Sequence, residues 1–242
     1  MACPISKWSS RRSCRTRSRS RIPPSRKAES RKRLGPSSIP ERSVTDATNE
    51  NPRDESTDGV FTGRRILVCV CGGIAAYKSA TVVSRLVQAG GEVTVAMTEA
   101  ATRFIAPLTF QSLSGRPVFT SQWDQFDHAD PQHVRVAEGL DAALVAPCTM
   151  NTLARLAAGF TDDAVTTALA AIDRTRVPVL LAPSMNAEMW SQPATRRNLD
   201  VLADDGFELI EPASGWQACR RVGSGRLPEP EALIATLAAS IS

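Results

Sequence analysis

Residues 64–98, "RRILVCVCGGIAAYKSATVVSRLVQAGGEVTVAMT", decide the fold. "RRILVCVCGG" is a short β-branched run that stops at Gly72-Gly73 and reads as a buried strand. "IAAYKSATVVSRLVQAG" sets apolar residues at helical spacing and stops at Gly90-Gly91, and "EVTVAMT" is a second strand. The alternation then continues. "EAATRFI" and "PLTFQSLSG" read as short helices, "LDAALVAP" as strand three, and "MNTLARLAAGF" and "DDAVTTALAAI" as helices. "VPVLLAPS" is strand four, "PATRRNLDVLADDG" a helix, "FELIEP" a short strand and "EPEALIATLAASI" a closing helix. Strands that alternate with helices of this length require parallel pairing through right-handed crossovers. The expected fold is therefore α/β: an open, doubly wound parallel sheet in a three-layer, flavodoxin-like or Rossmann-like sandwich.

Upstream of this segment the texture differs. The chain has 242 residues and a formal charge of +4, but residues 1–62 carry a net +7 and residues 63–242 a net −3. The first stretch is rich in Arg, Ser and Pro and poor in aliphatics, so it cannot bury enough apolar surface to offset its ordering entropy. It is expected to be a disordered basic extension (residues 1–62) ahead of one folded domain (residues 63–242). An organelle transit peptide, a phosphate-contacting arm and a dispensable extension are the readings it leaves open. A charge argument for nucleic acid applies to this extension alone, and a nucleic-acid partner is not expected for the domain. No apolar run approaches the ~20 residues of a membrane-spanning helix. The six cysteines include no CxxC pair and lack metal-ligand spacing to either histidine, so no metal site is expected. Cys69 and Cys71 read as buried small hydrophobes, and a reducing cytoplasm is the expected location.

In doubly wound sheets ligands bind beyond the carboxyl ends of the strands, and the conspicuous polar clusters fall there. Gly72-Gly73 follows strand one, Thr98-Glu99 strand two, "PCTMNT" (147–152) strand three and "PSMN" (183–186) strand four. Glycines at a strand–helix junction let backbone amides approach an anion, although a tight turn explains them equally well. Thr149, Asn151 and Thr152 open a helix, where they either cap it or hold a phosphate or ring edge. Asn186 is a polar residue set among Met185, Met189 and Trp190. His133 stands just before strand three. Cys219 lies in the Gly-rich segment "GWQACRRVGSGRLPEPEAL", which reads as a mobile loop; a thiol near arginines there can exchange a proton.

In order along the chain, "GGIAAYK" (72–78), His133 with its following apolar residue, "PCTMNT", "PSMNAEMW" (183–190) and "ACRRVGSGRLPEP" (218–230) resemble the homo-oligomeric flavin-containing cysteine decarboxylases, and most closely the branch acting on phosphopantothenoylcysteine. The resemblance spans roughly residues 64–242. It implies FMN as cofactor, with Gly72, Gly73, Ile74, Thr98, Glu99, Thr149, Met150, Asn151, Thr152 and Ser184 along it. It implies decarboxylation of 4′-phosphopantothenoylcysteine to 4′-phosphopantetheine in coenzyme A biosynthesis, through thioaldehyde and enethiol intermediates. His133 becomes the active-site histidine, Asn186 the holder of the substrate carboxylate, and Cys219 the acid for reduction of the enethiol. Met189, Ala218 and Arg226 join Asn186 against the substrate. It further implies a homotrimer or dodecamer and a separate phosphopantothenate–cysteine ligase.

The motifs depart from that family in places. Arg220 follows Cys219 where the family usually has Gly, a substitution that costs freedom if the position needs a positive φ. Arg221 replaces a nearby Asp. Ala137 stands where an arginine often lies four residues after the histidine. Alternative functions are a peptidyl-cysteine decarboxylase, a flavin prenyltransferase on the same fold, and a non-catalytic flavin-binding regulatory subunit. The last of these tends to lose catalytic residues, whereas His133, Asn186 and Cys219 are all present.

Overall fold

Strand β1 (Arg65–Val70) alternates between two cores. Ile66, Val68 and Val70 pack into one apolar cluster and Leu67, Cys69 and Cys71 into another, so β1 lies at the centre of three layers. The computed structural model describes residues 59–123 and 131–241, all within one compact unit. Residues 1–58, the bulk of the expected extension, lie outside the described residues.

After β1 come α1 (Ala76–Gln88), β2 (Glu92–Met97), α2 (Glu99–Thr102), α3 (Pro107–Ser114), α4 (Gln132–Ala137) and β3 (Ala142–Cys148). Then follow α5 (Met150–Ala157), α6 (Ala164–Ala170), β4 (Val179–Pro183), α7 (Ala187–Ser191), α8 (Pro193–Asp204), β5 (Glu208–Leu209), β6 (Ala213–Trp216), β7 (Val222–Arg226) and α9 (Pro230–Ile241). Strands β1 to β5 form a five-stranded sheet in the order β2-β1-β3-β4-β5, with every pairing parallel. This is the doubly wound sheet expected from the alternation, with the flavodoxin-like strand order. Residues of α1, α3 and α9 cover one face, where Val82, Leu86, Phe110, Leu233 and Leu237 meet the first cluster. Leu153 of α5, Val165 and Leu169 of α6, and Leu199 and Leu202 of α8 cover the other.

Two features escape the sequence pattern. The segment read as a mobile loop is an antiparallel hairpin, β6–β7, paired from Ala213↔Arg226 to Trp216↔Val222. Its glycines permit close approach rather than motion: a Cβ at Gly223 would stand 2.7 Å from the Ala187 Cβ, and one at Gly225 (φ +109°) would run into the Met185 carbonyl. The other is Phe61. Composition assigns it to the extension, yet it is fully buried in the first cluster. Removing residues 1–58 leaves Phe61 in place and is therefore the reference truncation. Removing residues 1–62 should lower stability by about 3–5 kcal/mol, the cost of deleting a buried phenylalanine. Equal midpoints for the two truncations would show that Phe61 contributes nothing.

Candidate active site

The strand order creates the site. From β1 the chain crosses to β2 on one side, and from β3 it crosses to β4 on the other, so the turns after β1 and β3 diverge and leave a crevice at their carboxyl ends. A cleft of about 580 Å³ lies there. Gly72, Gly73 and Ile74 line it from the β1–α1 turn; Thr149, Met150 and Asn151 from the β3–α5 turn; Ser184, Asn186 and Met189 from the β4 exit. The hairpin adds Ala218, Cys219 and Arg226. A second compartment of about 490 Å³ shares Gly72, Thr149 and Asn151 with the first and adds Thr98, Glu99 and Thr152. Of the candidate residues, only His133 lines neither compartment.

Capping and cleft-lining turn out to be two roles of the same side chains. Thr98 caps α2 by accepting from the Ala101 N–H, Thr149 caps α5 by accepting from the Thr152 N–H, and Asn186 caps α7 by accepting from the Met189 N–H at 2.8 Å. The cap occupies only the amide oxygen of Asn186. Its Nδ2 has no partner among the described residues and is left as a donor for something in the cleft. By contrast, α1 starts without any side-chain cap and with Gly73, Ile74 and Ala75 on the cleft; the Ala76 and Lys78 amides donate to the Gly73 and Ala75 carbonyls, which leaves the Tyr77 amide of the first turn available to an anion. Glu99 faces the second compartment but is paired with Arg103 at 3.4 Å on the same helix.

Sequence reasoning passed over two polar residues. Lys78, 6% exposed, lines the cleft and donates from Nζ to the Leu227 carbonyl at 3.1 Å. It also pairs with Glu229 at 3.0 Å and through that hydrogen bond holds the Glu229 carboxyl below its ordinary range. A buried ammonium needs such a partner, and the pair ties α1 to the β7–α9 junction. The other is Gln217, buried beneath the hairpin turn, whose amide reaches Met185, Ser224, Ala187 and the Cys219 thiol. Neither residue type marks a site by pattern, because each acts through contacts distant in sequence.

Cys219 is exposed at the hairpin turn. The other described cysteines are different: burial pushes the Cys71 thiol up to about 12 and raises those of Cys69 and Cys148. They remain neutral packing groups, and among the described residues no cluster of metal-ligating side chains occurs. Arg220 has φ +63°, the left-handed conformation its family position led us to ask about. An L side chain there costs roughly 1–2 kcal/mol, partly offset by the unfolded-state entropy glycine would add. Arg220→Gly is expected to raise stability by about 1 kcal/mol and Tm by roughly 2–4 °C; an unchanged or lowered Tm would refute strain at this residue.

His133 lies in α4, half-buried, and α4 packs on α6 rather than on the cleft. Within a single chain it does not meet Asn186 and Cys219.

Comparison with known proteins follows the same segment. The family model described as Flavoprotein matches residues 55–242. The coenzyme A biosynthesis bifunctional protein CoaBC of Bacillus subtilis is 45% identical over 175 residues, covering 72% of this chain and 42% of its own length. That of Escherichia coli is 42% identical over 174 residues, with the same coverage of both chains. The chain thus spans less than half the length of these curated relatives. Among solved structures, a cysteine-to-serine variant of PPC decarboxylase complexed with pantothenoylaminoethenethiol superposes with a TM-score of 0.66 at 28% identity, covering 72% of this chain and 95% of that one. The FMN-dependent cysteine decarboxylase SpaF superposes with a TM-score of 0.64 at 30% identity, covering 75% and 98%. No described helix is long and apolar enough to cross a membrane. Since the matched family segment contains all five sheet strands and every turn that lines the cleft, the chain belongs to the Flavoprotein family.

Proposed function

We propose that this chain is an FMN-dependent decarboxylase that converts 4′-phosphopantothenoylcysteine to 4′-phosphopantetheine in coenzyme A biosynthesis. The observation that carries the reading is that Asn186 and Cys219, from separate elements, line one cleft with the β1–α1 and β3–α5 turns. The residues present fit FMN. The cleft volume lies within the roughly 300–1,000 Å³ of small-molecule and cofactor sites. The uncapped first turn of α1 suits a phosphate, and the exposed faces of Ile74, Tyr77 and Trp216 suit an apolar ring. Bound FMN would supply a hydride acceptor for the cysteinyl carbons and later the donor that restores them, so the cycle is redox-neutral.

The protein supplies orientation and protons. Asn186 Nδ2 donates to the substrate carboxylate and holds the bond to CO2 in place; a hydrogen bond to a charged acceptor contributes about 1.5–3 kcal/mol. The hairpin, carrying Trp216 and Cys219, walls the cleft and restricts water. Cys219 gives the proton needed when the enethiol double bond is saturated. His133 lines no part of its own cleft, so we assign it to the cleft of a second copy, in a homotrimer or a multiple of one.

The test is mass spectrometry of products from purified, FMN-loaded protein and 4′-phosphopantothenoylcysteine. Wild type is expected to yield 4′-phosphopantetheine. Cys219→Ser is expected to release CO2 yet accumulate the oxidised enethiol. If wild type binds FMN but leaves the substrate unchanged, the reading fails and a peptide ending in cysteine becomes the substrate to try. If Cys219→Ser yields normal product, Cys219 is not the acid.

A further inference from the structure

We infer that Gln217 is the positioning residue that aims the Cys219 thiol into the cleft; the inference rests on the decarboxylase reading above. Gln217 is 8% exposed and spends every hydrogen-bonding position of its amide on the junction between hairpin and β4 exit. Nε2 donates to the Met185 carbonyl at 3.3 Å and to the Ser224 carbonyl at 2.8 Å. Oε1 accepts from the Ala187 N–H at 3.3 Å and from the Cys219 S–H at 3.6 Å. The orientation of the amide follows from these partners. Two carbonyls on one side demand donors, and an N–H and a thiol on the other demand an acceptor.

The backbone of the same residue closes the turn: its N–H donates to the Arg221 carbonyl at 2.8 Å, and its carbonyl accepts from the Arg220 N–H at 2.9 Å. The two partners at the β4 exit, Met185 and Ala187 with its neighbour Asn186, are thereby fixed relative to the hairpin. One buried amide couples the position of the carboxylate-holding Asn186 to that of the thiol. In the saturation step Cys219 gives the enethiol carbons one proton, bound FMN would supply the accompanying hydride, and the Cys219 thiolate left behind is reprotonated from solvent. The proton transfer needs Sγ within hydrogen-bond reach of the accepting carbon. The Gln217 acceptor limits which way the S–H points until substrate replaces it.

The test uses the full chain loaded with FMN. Gln217→Met keeps the length and burial but removes both donors and the strong acceptor. It is expected still to release CO2 while the ratio of oxidised enethiol to 4′-phosphopantetheine rises roughly 2- to 10-fold, the effect of one lost hydrogen bond to the thiol. Alkylation of Cys219 by iodoacetamide, followed peptide by peptide without substrate, should quicken by a similar factor. Glu188→Ala is the control. It removes the exposed Arg221–Glu188 ion pair between hairpin and α7, 3.8 Å long, and leaves Gln217 intact. It should change neither readout. Gln217→Asn, whose amide falls one methylene short of Cys219, stands in if the methionine variant does not fold and should shift both readouts in the same direction. Wild-type product ratio and alkylation rate in Gln217→Met would overturn the inference, as would an equal shift in Glu188→Ala. Absence of CO2 from wild type would instead count against the decarboxylase reading, with the alkylation rates still deciding the role of Gln217.

Discussion

Asn186→Asp is expected to abolish decarboxylation while leaving the fold and the flavin site intact. The cap on α7 uses the side-chain oxygen, which accepts from the Met189 N–H at 2.8 Å, and Asp caps a helix as well as Asn does. The substitution therefore keeps the local geometry. What changes is the second arm of the side chain. A donor NH2 becomes an oxygen of a carboxylate, facing the place assigned to the substrate carboxylate. The loss of a charge-assisted hydrogen bond and the gain of like-charge repulsion act together, at several kcal/mol. A fall of about 10³-fold or more in kcat/KM is expected, roughly 4 kcal/mol of transition-state stabilisation. Tm and bound-flavin absorbance should match wild type. Two results would each sink the argument: turnover within about tenfold of wild type, which would remove the carboxylate from Asn186, or a collapse in Tm, which would make the residue structural.

That prediction separates two roles that Asn186 combines, the cap on α7 and a donor to the cleft, and the sequence pointed to the second. It could place the residue because a strand's apolar run is readable: "VPVLLAPS" becomes β4, and whatever follows a parallel strand's carboxyl end borders the crevice. The strands, the long helices and most cleft residues were legible on that ground. Some short elements were not. Helices α4 and α7 have six and five residues, too few for a helical period to show. The hairpin was hidden by its glycines, which are poor strand formers and which the fold requires for contact with Met185 and Ala187. Gln217 was invisible for another reason. Its partners Met185 and Ala187 are about thirty residues away, so nothing local distinguishes it from any polar residue near a turn. The pattern near Phe61 is a single aromatic in a polar stretch, and only its burial shows that the domain begins before residue 63.

His133 carries the other large effect. Its replacement by Asn should lower turnover by about 10²- to 10⁴-fold, the range for loss of a general acid or base. The more telling experiment mixes two defective chains. In one chain, Asn186 and Cys219 line the cleft and His133 does not, so a working site in the proposed ring takes His133 from one copy and Cys219 from the next. A head-to-tail cyclic contact has this property: each subunit gives one surface and receives another. His133→Asn alone should make product at no more than about 1% of the wild-type rate, in keeping with that loss, and Cys219→Ser alone should make only the oxidised enethiol. Co-expressed in equal amounts with different tags, and purified for the presence of both, the pair should regain 4′-phosphopantetheine formation. In a homotrimer about one third of the sites should recover, because a ring that holds both variants has one junction in three that joins an intact His133 to an intact Cys219. If both residues served the site of their own chain, every site would carry a defect and the mixture would make no more reduced product than His133→Asn alone. A monomeric mass for the flavin-loaded protein would exclude the shared site by another route. In that case α4 would have to leave α6 to bring His133 to the cleft, and substitutions that strengthen the α4–α6 contact would slow turnover.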